Sequence, residues 1–413
     1  MARIVVKFGG TSVADPARIE NAANKVLSET KRGNQVVVVV SAMAGVTNQL
    51  VDYCQQIDPG CDAKEYDAVV ASGEQITCGL MALALQKLGL ESRSMTGWQV
   101  PIICNDQHGR SRIDDIPPEK LNDLLQNGVT PVVAGFQGVS KSGRISTLGR
   151  GGSDTTAVAL AAAIKSDRCD IYTDVDGVYT TDPRLVPLAK KLDKVSYEEM
   201  LEMAALGAKV LHPRSVELAM AWNVPLQVLS SFNSGIGSDL PGTIIVGEND
   251  IVEKQIVNGI AYTRNESKVT LISVPDMPGV AASIFAPLGG AGINVDVIVQ
   301  NVSPDGKTTD MTFTVPKIDS SKVKTLLEGL DFLKNTEIRI ANDIAKVSII
   351  GIGMSSHTGV AQTMFTTLAE NKINIQAITT SEIKVSVLID EKFTELAVRS
   401  LHTAFGLDQQ QAS

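Results

Sequence analysis

The sequence has few of the features that mark several common classes of protein. It contains no C-x-x-C pair, and its five cysteines are Cys54, Cys61, Cys78, Cys104 and Cys169. This spacing predicts neither a disulfide framework nor a zinc site, and it is typical of thiols in a reducing cytoplasm. The four histidines also form no cluster of metal ligands along the sequence. We therefore expect no metal site built from the protein's own side chains.

Positive charge and long apolar runs are scarce as well. The chain has 37 Lys and Arg against 46 Asp and Glu, a net charge of −9, and no block of basic residues. That balance argues against a nucleic-acid partner. No apolar run reaches the roughly 18 residues that span a membrane, and the chain starts without the apolar stretch of a signal peptide. We expect a cytoplasmic protein with no membrane partner and, at 413 residues, two or three domains.

Several nucleotide-binding motifs are absent from the sequence. There is no G-x-x-x-x-G-K-[ST], no G-x-G-x-x-G, and no H-R-D or D-F-G set. P-loop, Rossmann and protein-kinase folds therefore lose support.

Short β-branched runs alternate with helical patterns over the first 245 residues. The predicted strands are Ile4–Val6, Gln35–Val40, Val129–Ala134, Cys169–Thr173 and Pro225–Leu229. The predicted helices are Asp15–Thr30, Glu74–Leu88, Asp154–Ile164 and Ser196–Leu206. This alternation predicts an α/β fold with a mostly parallel sheet and helices on both of its faces. A stretch rich in turn residues from Ser234 to Gly242 places the end of this domain near residue 245.

The remainder of the chain contains an internal repeat. Lys268–Ile272 matches Lys346–Ile350, Gly279–Ala281 matches Gly359–Ala361, and Gly292–Val295 matches Lys372–Ile375. Each copy shows strand, glycine turn, helix, Ile-Asn and strand, the pattern of a small βαβ module. We expect two such modules, over residues 265–340 and 341–413, packed against one another.

Two glycine-rich motifs follow predicted strands and carry a cation each. Lys7-Phe8-Gly9-Gly10 lies at the end of the first strand, where glycines let backbone amides approach phosphate. Alternatively, the two glycines form an ordinary tight turn that binds no phosphate. Gly149-Arg150-Gly151-Gly152-Ser153-Asp154 opens a helix, so its amides form an anion site and the guanidinium suits a carboxylate.

Three further segments contribute polar side chains at strand or helix ends. Residues Thr173 to Arg184 hold three aspartates after a strand, which form either simple Asx turns or surroundings for Mg²⁺ held by substrate phosphates. Ser41 and Thr47 follow the second strand. They either face a ligand site at the carboxyl end of that strand or belong to the start of the next helix. Glu74 is either a first-turn carboxylate favoured by the helix dipole or a ligand for a substrate ammonium.

Taken in order, these motifs, with Ser72-Gly73-Glu74, His212-Pro213-Arg214 and Ser231-Phe232-Asn233, make the chain resemble the aspartate kinases of the amino-acid-kinase family. The resemblance covers nearly the whole chain. It implies transfer of the γ-phosphoryl group of ATP, with Mg²⁺ carried by the nucleotide, to the side-chain carboxylate of L-aspartate. The product would be 4-phospho-L-aspartate, the first intermediate of lysine, threonine and methionine biosynthesis.

The resemblance also implies roles for individual residues. Lys7 would neutralise charge on the transferring phosphoryl group and Asp182 would organise the cationic groups around the nucleotide. The implied ATP-binding residues are Lys7, Phe8, Gly9, Gly10, Ser41, Thr173, Asp174, Tyr179, Arg184 and Lys209. The implied substrate-binding residues are Thr47, Glu74, Arg150, Gly151, Gly152, Ser153 and Asp154, with Arg150 on the α-carboxylate and Glu74 on the ammonium.

The two C-terminal modules resemble ACT domains, which bind amino acids as effectors. By this resemblance, lysine and/or threonine would inhibit the enzyme, and the modules would assemble a homo-oligomer. The implied effector-binding residues are Asp276, Gly279, Ala281, Asn294, Val295, Asp296, Gln300, Asn374, Ile375 and Ser381. Two alternatives remain open: a related kinase acting on glutamate or an acetylated amino acid, and a catalytically silent amino-acid sensor.

Overall fold

The computed structural model describes residues 1–208, 210–239, 241–251, 256–302, 306–334 and 336–409. The chain divides into two compact units. The first comprises Met1–Tyr179 and Lys191–Glu253, and the second comprises Thr180–Lys190 and Lys254–Ser413. The short segment Thr180–Lys190 thus belongs with the C-terminal part of the chain, although the residues on both of its sides belong to the first unit.

The first unit is built on an eight-stranded sheet and a smaller four-stranded one. In its described part the strands are β1 Arg3–Phe8, β2 Gln35–Val40, β3 Ser92–Met95, β4 Ile103–Cys104, β5 Ile113–Asp115, β6 Thr130–Ala134, β7 Gln137–Ser140, β8 Ile145–Thr147, β9 Arg168–Thr173, β10 Lys194–Ser196, β11 Leu226–Ser230 and β12 Thr243–Val246. The large sheet has the order β10-β12-β11-β9-β1-β2-β6-β3, and the small one β5-β4-β7-β8.

The large sheet is parallel except where β12 runs antiparallel to β11. Its central strands carry Val and Ile on both faces because helices cover both. All five valines of β2 are buried. β1 lies between β2 and β9, and Lys7 pairs in register with Val39 on one side and Ile171 on the other. The carboxyl ends of β1, β2 and β9 therefore meet at one edge of the sheet.

Helices separate most of these strands. Those of the first unit are α1 Pro16–Lys31, α2 Val46–Ile57, α3 Ala63–Val70, α4 Ser72–Lys87, α5 Glu119–Gln126, α6 Gly152–Ala163, α7 Tyr197–Ala205 and α8 Pro213–Trp222. Asp15 caps α1 by accepting the Arg18 N–H at 2.9 Å, and proline occupies the first helical position, as the Asp-Pro pair predicts. α6 is buried almost all round because it packs against the central strands.

The predicted fold class is confirmed in this unit. Each of the five predicted strands and four predicted helices is present, with ends that differ by at most two residues. The small sheet of β4, β5, β7 and β8 was not predicted, since its strands of two to four residues show no clear apolar pattern.

The second unit consists of two α+β modules, as the repeat predicts. Its described elements are β13 Gly259–Thr263, β14 Glu266–Pro275, α9 Val280–Gly290, β15 Asp296–Val302, β16 Thr308–Pro316, α10 Ser320–Glu328, β17 Glu337–Ala341, β18 Ile344–Ile350, α11 Val360–Glu370, β19 Ala377–Thr380, β20 Lys384–Asp390 and α12 Thr394–Ala404. The first copy forms the sheet β15-β16-β14-β17, and the second forms β13-β18-β20-β19.

The prediction of a βαβ module is therefore incomplete, because each copy adds a third strand and a second helix to that pattern. The fourth strand of the second sheet is β13, which precedes the whole first module in sequence and pairs antiparallel with β18. Each module has its own apolar core, one around Leu271 and Phe313 and the other around Val347 and Leu401. A third cluster of Val297, Ile344 and Leu388 joins the two copies, so they pack together as predicted.

The segment Thr180–Lys190 packs into the second of these modules. The Ile260 N–H of β13 donates to the Thr180 carbonyl at 2.7 Å, and the Thr180 hydroxyl lies 2.9 Å from His402 Nε2. His402, on α12, is fully buried, and Val186 belongs to the apolar core of the module. One side of the segment thus packs against the core of this module, while Arg184 and Leu188 are exposed.

Two expectations from composition can be compared with the described structure. Cys54, Cys78, Cys104 and Cys169 are buried free thiols, and Cys61 is half-buried. Within Ala63–Lys87, where α3 and α4 follow one another, the most apolar 18-residue window has a mean hydropathy of 1.5, which is enough to cross a membrane by length and composition alone. Half of that window is buried inside the protein.

Candidate active site

The first unit contains a cavity of about 360 Å³ at the carboxyl ends of β1 and β2. The loops after these strands and the first turns of α4 and α6 surround it. Its lining residues are Lys7, Gly10, Ser41, Ala42, Met43, Ala44, Gly45, Thr47, Asn48, Glu74, Phe136, Gly149, Arg150, Gly151, Gly152, Ser153 and Asp154. All seven predicted substrate-binding residues are in this set, so the structure brings them together.

Lys7 and Asp154 form an ion pair in the wall of the cavity. The Lys7 ammonium lies 2.5 Å from Asp154 Oδ1, and 10% and 14% of the two side chains are exposed. β1 places the lysine at the carboxyl edge of the sheet, and the first turn of α6 places the aspartate opposite it. The pair fixes the direction of the ammonium in a site that is largely shielded from water.

Glu74 is a buried carboxylate with one oxygen unpaired. It lies in the first turn of α4 and is 3% exposed. Oε1 accepts the Ala42 N–H at 3.1 Å, whereas Oε2 has no hydrogen-bond partner among the described residues. Burial raises the pKa of this carboxyl to about 7, although the Ala42 amide partly offsets the effect. An ammonium group of a ligand would restore the ionised form and satisfy Oε2.

Arg150 faces the same cavity without a partner of its own. Among the described residues its exposed guanidinium makes no ion pair or hydrogen bond. Gly151, which follows it, has a φ of 71°, and a Cβ there would lie 2.2 Å from the His212 ring. Glycine is therefore required at the turn that leads into α6. The first amides of α6 lack intrahelical acceptors, and together with the guanidinium they form a site for a carboxylate.

Phe136 also lines the cavity and was not found from the sequence. It adopts a φ of 68°, a conformation that is rare for an aromatic residue. Its N–H donates to the Thr156 hydroxyl at 3.1 Å, and its carbonyl accepts the Leu148 N–H at 2.9 Å. These bonds to α6 and to the loop before it hold the unusual backbone, and no local sequence signal predicts them.

The predicted nucleotide-binding residues fall into several groups. Gly10 and Ser41 line the cavity beside Lys7. Thr173 and Asp174 follow β9, and the Thr173 hydroxyl donates to Asp174 Oδ1 at 3.1 Å. The Tyr179 hydroxyl donates to Asp176 Oδ1 at 3.0 Å. Because β9 is the neighbour of β1, Thr173 and Asp174 lie at the same sheet edge as Lys7.

Two predictions within the first glycine motif need correction. The Gly9 N–H donates to the Tyr172 carbonyl at 3.2 Å, so this amide is already used and does not point to a phosphate. The Phe8 side chain is fully buried and stacks on the Tyr172 ring at 4.9 Å between centroids, so it is a core side chain. Both features follow from the pairing of β1 with β9, which continues past the end of the strand.

Asp182 and Arg184 lie in the segment that belongs to the second unit. The Arg184 guanidinium donates to Asp182 Oδ2 at 2.8 Å, and the Tyr262 hydroxyl donates to the same oxygen at 3.4 Å. The hydrogen bond from Arg184, acting against burial, lowers the pKa of Asp182. Neither residue is among those that line the cavity. Their predicted roles stay predictions, and Lys209 lies outside the described residues.

The predicted effector residues lie at equivalent places in the two modules. Asp276 and Gly279 precede α9, where Gly279 has a φ of 92°, and Ala281 is in its first turn. Asn294, Gln300, Asn374 and Ser381 are exposed, whereas Val295 and Ile375 pack against the module cores. The Asp276 carboxylate has no hydrogen-bond or ion-pair partner among the described residues.

Asp296 differs from the other predicted effector residues because it already holds a cation. Its Oδ2 lies 2.6 Å from the ammonium of Lys346, a residue of β18 that is 4% exposed at its side chain. Glu266 of β14 pairs with the same ammonium. Burial would lower the pKa of Lys346, but the two carboxylates raise it. In this arrangement the Asp296 carboxylate is therefore not free to bind a ligand's ammonium, and its predicted effector role stays a prediction.

Among the described residues, no group of three or more His, Cys, Asp or Glu side chains is arranged to hold a metal ion. The chemistry of the cavity instead rests on two cations, Lys7 and Arg150, and one unpaired carboxylate oxygen of Glu74. Such a set suits a ligand that carries an ammonium group and carboxylates. The fold and the cavity thus define a kinase for a small amino acid.

Comparison with known proteins agrees with this class. Residues 2–230 match the amino acid kinase family, and residues 268–332 and 347–405 each match an ACT domain. Over 410 residues the chain is 53% identical to the aspartate kinase of Pseudomonas putida, covering 99% of this chain and 98% of that one. It is 46% identical over 413 residues to the aspartokinase of Corynebacterium glutamicum, covering 98% and 97% of the two chains.

A solved structure supports the same assignment. Escherichia coli aspartokinase III, in complex with aspartate and ADP, matches with a TM-score of 0.80 at 28% identity, covering 97% of this chain and 99% of that one. The chain therefore belongs to the amino acid kinase family, within which it is an aspartate kinase with two ACT domains. The predicted family, fold class and enzyme class are confirmed.

Proposed function

We propose that this kinase transfers the γ-phosphoryl group of ATP to the side-chain carboxylate of L-aspartate, with 4-phospho-L-aspartate as the product. The observation that carries the proposal is the unpaired Glu74 Oε2 in the same cavity as the free Arg150 guanidinium. L-Aspartate offers an ammonium to the first and an α-carboxylate to the second. Its remaining carboxylate is then the group that can reach Lys7.

The chemistry needs little from the protein beyond placement and charge. The attacking carboxylate is ionised at neutral pH, so no general base is required. Lys7, directed by its ion pair with Asp154, supplies a preorganised positive charge to the transferring phosphoryl group. Gly10, Ser41, Thr173, Asp174 and Tyr179 would contact the nucleotide. Escherichia coli aspartokinase III has been solved with aspartate and ADP, which supports the same pair of ligands here.

We treat Mg²⁺ as part of the nucleotide substrate. Mg²⁺ keeps several waters and binds proteins through one or two carboxylates plus substrate phosphates. Asp174 and Asp182 have the right chemistry to contact such an ion or its waters. The hydrogen bonds between the Asp182 and Arg184 side chains would hold the guanidinium next to this carboxylate.

The direct test is the ATP-dependent formation of a hydroxamate from L-aspartate and hydroxylamine, which traps the acyl phosphate. We expect product with L-aspartate and little with L-glutamate. N-acetyl-L-aspartate, which lacks the ammonium that Glu74 would bind, should give none. Efficient turnover of glutamate or of the acetylated compound would favour the alternative kinases. Absence of hydroxamate from every acid would favour a silent sensor.

We further propose that lysine and threonine, alone or together, inhibit the enzyme through the ACT modules. Escherichia coli aspartokinase III has also been solved with lysine and aspartate, and that structure matches this chain with a TM-score of 0.77. The segment Thr180–Lys190, which carries the predicted site residues Asp182 and Arg184, packs against the core of the second module. An effector that rearranges this module would move both side chains.

Titration of lysine, threonine and their mixture against initial rate tests this regulation. We expect the mixture to inhibit more than either amino acid alone. By reciprocity, saturating aspartate or ATP should weaken effector binding wherever the affinities are coupled. Full activity at saturating amounts of both amino acids would remove the regulatory proposal while leaving the catalytic one intact.

We also propose that the modules assemble a homo-oligomer. β15 and β19 are edge strands of their sheets and expose the apolar side chains of Ile298 and Ile378. Exposed apolar edge strands are typical of surfaces that another chain covers. Sedimentation of the wild type should show a species larger than one chain. The variant Ile298→Glu, which places a charge on the exposed edge strand, should sediment with a lower mass than the wild type. A monomeric wild type would contradict this proposal.

A further inference from the structure

Asp67 is a fully buried carboxylate that neither the sequence analysis nor the proposed mechanism uses. It lies on α3 and is 0% exposed. Its oxygens accept the Gly109 N–H at 3.0 and 3.1 Å and the Thr147 N–H at 3.0 Å. They also accept the Thr147 hydroxyl at 2.5 Å, and His108 Nδ1 lies 2.9 Å away as a fourth donor. Such a buried charge persists because several donors compensate it.

These four donors come from two loops that meet beside the cavity. Thr147 ends β8, and the chain continues through Leu148 and Gly149 to Arg150. Gly149 has a φ of 75°, and a Cβ there would lie 3.1 Å from the Gly109 carbonyl oxygen, so the loops are in close contact. Asp67 therefore binds both loops at the point where they touch.

The carbonyl groups of the same loops are held from α8. The Arg214 guanidinium donates to the Leu148 carbonyl at 2.6 Å and to the Ser111 carbonyl at 2.7 Å. Leu148 is thus fixed one residue before the cavity and two before Arg150. Arg150 itself has no side-chain partner among the described residues, so its position depends on this backbone.

We propose that Asp67 is a positioning residue for Arg150 and thereby sets the affinity for the amino-acid substrate. This proposal rests on the proposed function, in which Arg150 binds the substrate α-carboxylate. Replacement of one Asp67 oxygen by an NH2 group, which donates and cannot accept, leaves some of these buried donors without an acceptor, and the loops then shift to find others. A displacement of about 1 Å at a binding group can cost on the order of a hundredfold.

The test compares Asp67→Asn with Glu199→Gln. Glu199 is also a fully buried carboxylate and accepts the Ser196 N–H at 3.1 Å in a capping box of α7, so it is a matched structural control. We expect Asp67→Asn to raise KM for aspartate about 10- to 100-fold. KM for ATP and kcat should change less than about threefold, since an interaction lost equally from bound aspartate and from the transition state raises KM for aspartate without lowering kcat. Glu199→Gln should leave both KM values unchanged.

Hydrogen exchange by mass spectrometry gives a readout that does not depend on the identity of the substrate. In Asp67→Asn, amide exchange should increase in residues 107–112 and 147–152 more than elsewhere, which it should not do in Glu199→Gln. If the variant unfolds, Thr147→Val, which removes only the hydroxyl donor, should show the same pattern with a smaller rise in KM. Unchanged exchange in these loops, or faster exchange with an unchanged KM for aspartate, would overturn the proposal. Wild-type enzyme inactive on aspartate would instead refute the proposed function.

Discussion

Substitution of Glu74 by glutamine tests how the substrate ammonium is bound. Glutamine keeps the size of the side chain and the acceptor for the Ala42 N–H, but it removes the negative charge and the titration. In the wild type, only the ionised carboxylate binds the ammonium well. Since the pKa of Glu74 is about 7, a considerable fraction of the free enzyme holds a proton on this group near neutral pH.

The size of the effect follows from that pKa. The ionised fraction falls about tenfold for each pH unit below it, so kcat/KM for aspartate at pH 6 should be about a tenth of its plateau above pH 8. Once aspartate is bound, its ammonium keeps Glu74 ionised, and kcat should vary much less with pH. Loss of the charge in Glu74→Gln should lower the plateau of kcat/KM about 10²- to 10³-fold.

The same group has an effect on stability with a defined sign. The pKa of Glu74 is raised from its usual 4.5 to about 7, so the folded protein binds more protons than the unfolded chain between these values. The free energy of unfolding therefore falls as pH rises through this window, by about 3 kcal/mol for this group. Glu74→Gln lacks this term, so its stability relative to the wild type should increase between pH 4.5 and 8 by up to that amount.

The assay is the initial rate at varied aspartate and saturating MgATP from pH 5.5 to 8.5, with thermal unfolding over the same range. The pH dependence of kcat/KM for ATP, measured in a separate series, shows how much protonation of the nucleotide contributes. Glu65→Gln is a suitable control, because Glu65 is 71% exposed at its side chain and pairs with Arg144 outside the cavity. A wild-type profile for aspartate that is flat below pH 7, or one that keeps its break in Glu74→Gln, would refute the reasoning.

Three other predictions concern the cavity and the ACT modules. Lys7→Ala should lower kcat about 10²- to 10³-fold at saturating substrates, and near-full turnover would remove Lys7 from the catalytic residues. Arg150→Lys should raise KM for aspartate about tenfold without changing KM for ATP, because an ammonium cannot form the two parallel bonds of the guanidinium. A raised KM for ATP with an unchanged KM for aspartate would assign Arg150 to the nucleotide. Asp276→Ala should relieve inhibition by lysine plus threonine, and Asp296→Ala should relieve it less, because Asp296 already pairs with Lys346; each rate is normalised to the variant's own uninhibited rate. Relief in Asp296→Ala alone would indicate that the ion pairs of Lys346 carry the effect.

The central sheet could be predicted because its strands are sequence-local signals. β1, β2 and β9 are short apolar runs that alternate with helical patterns, although the pairing of β1 with β9 joins strands distant in sequence. The small sheet and β13 are different, since their pairing partners are distant in sequence and their strands are short. β13 pairs with β18, some 90 residues later, and only the folded second module shows where it belongs.

The candidate site was partly visible in the sequence for a similar reason. Lys7, Glu74 and Arg150 stand next to glycines at strand or helix ends, where charge and backbone freedom coincide. Asp67 stands in an ordinary helical pattern, and its acceptor role involves Thr147, 80 residues away. The pairing of Gly9 with Tyr172 likewise depends on which strand neighbours β1. Local patterns indicated groups that line the cavity, whereas the bonds that hold them required the structure.

The ACT modules show how an internal repeat can conceal a difference in charge. In the alignment of the two copies, Lys268 corresponds to Lys346 and Asp296 to Gln376. The structure pairs these residues crosswise: Lys346 binds Asp296, and the Lys268 ammonium donates to Gln376 Oε1 at 2.5 Å. The two contacts are equivalent by the repeat, but only the first is an ion pair.

This difference changes how an amino-acid effector can be recognised. Burial lowers the pKa of Lys268, whereas Glu266 and Asp296 raise that of Lys346 against the effect of burial. A lysine effector would have to displace the protein's own ammonium in order to bind Asp296. Asp276, exposed and unpaired among the described residues before the first turn of α9, can accept an ammonium without that competition. Because its equivalent position in the second copy, Ser356, carries no charge, a cationic effector should prefer the first module.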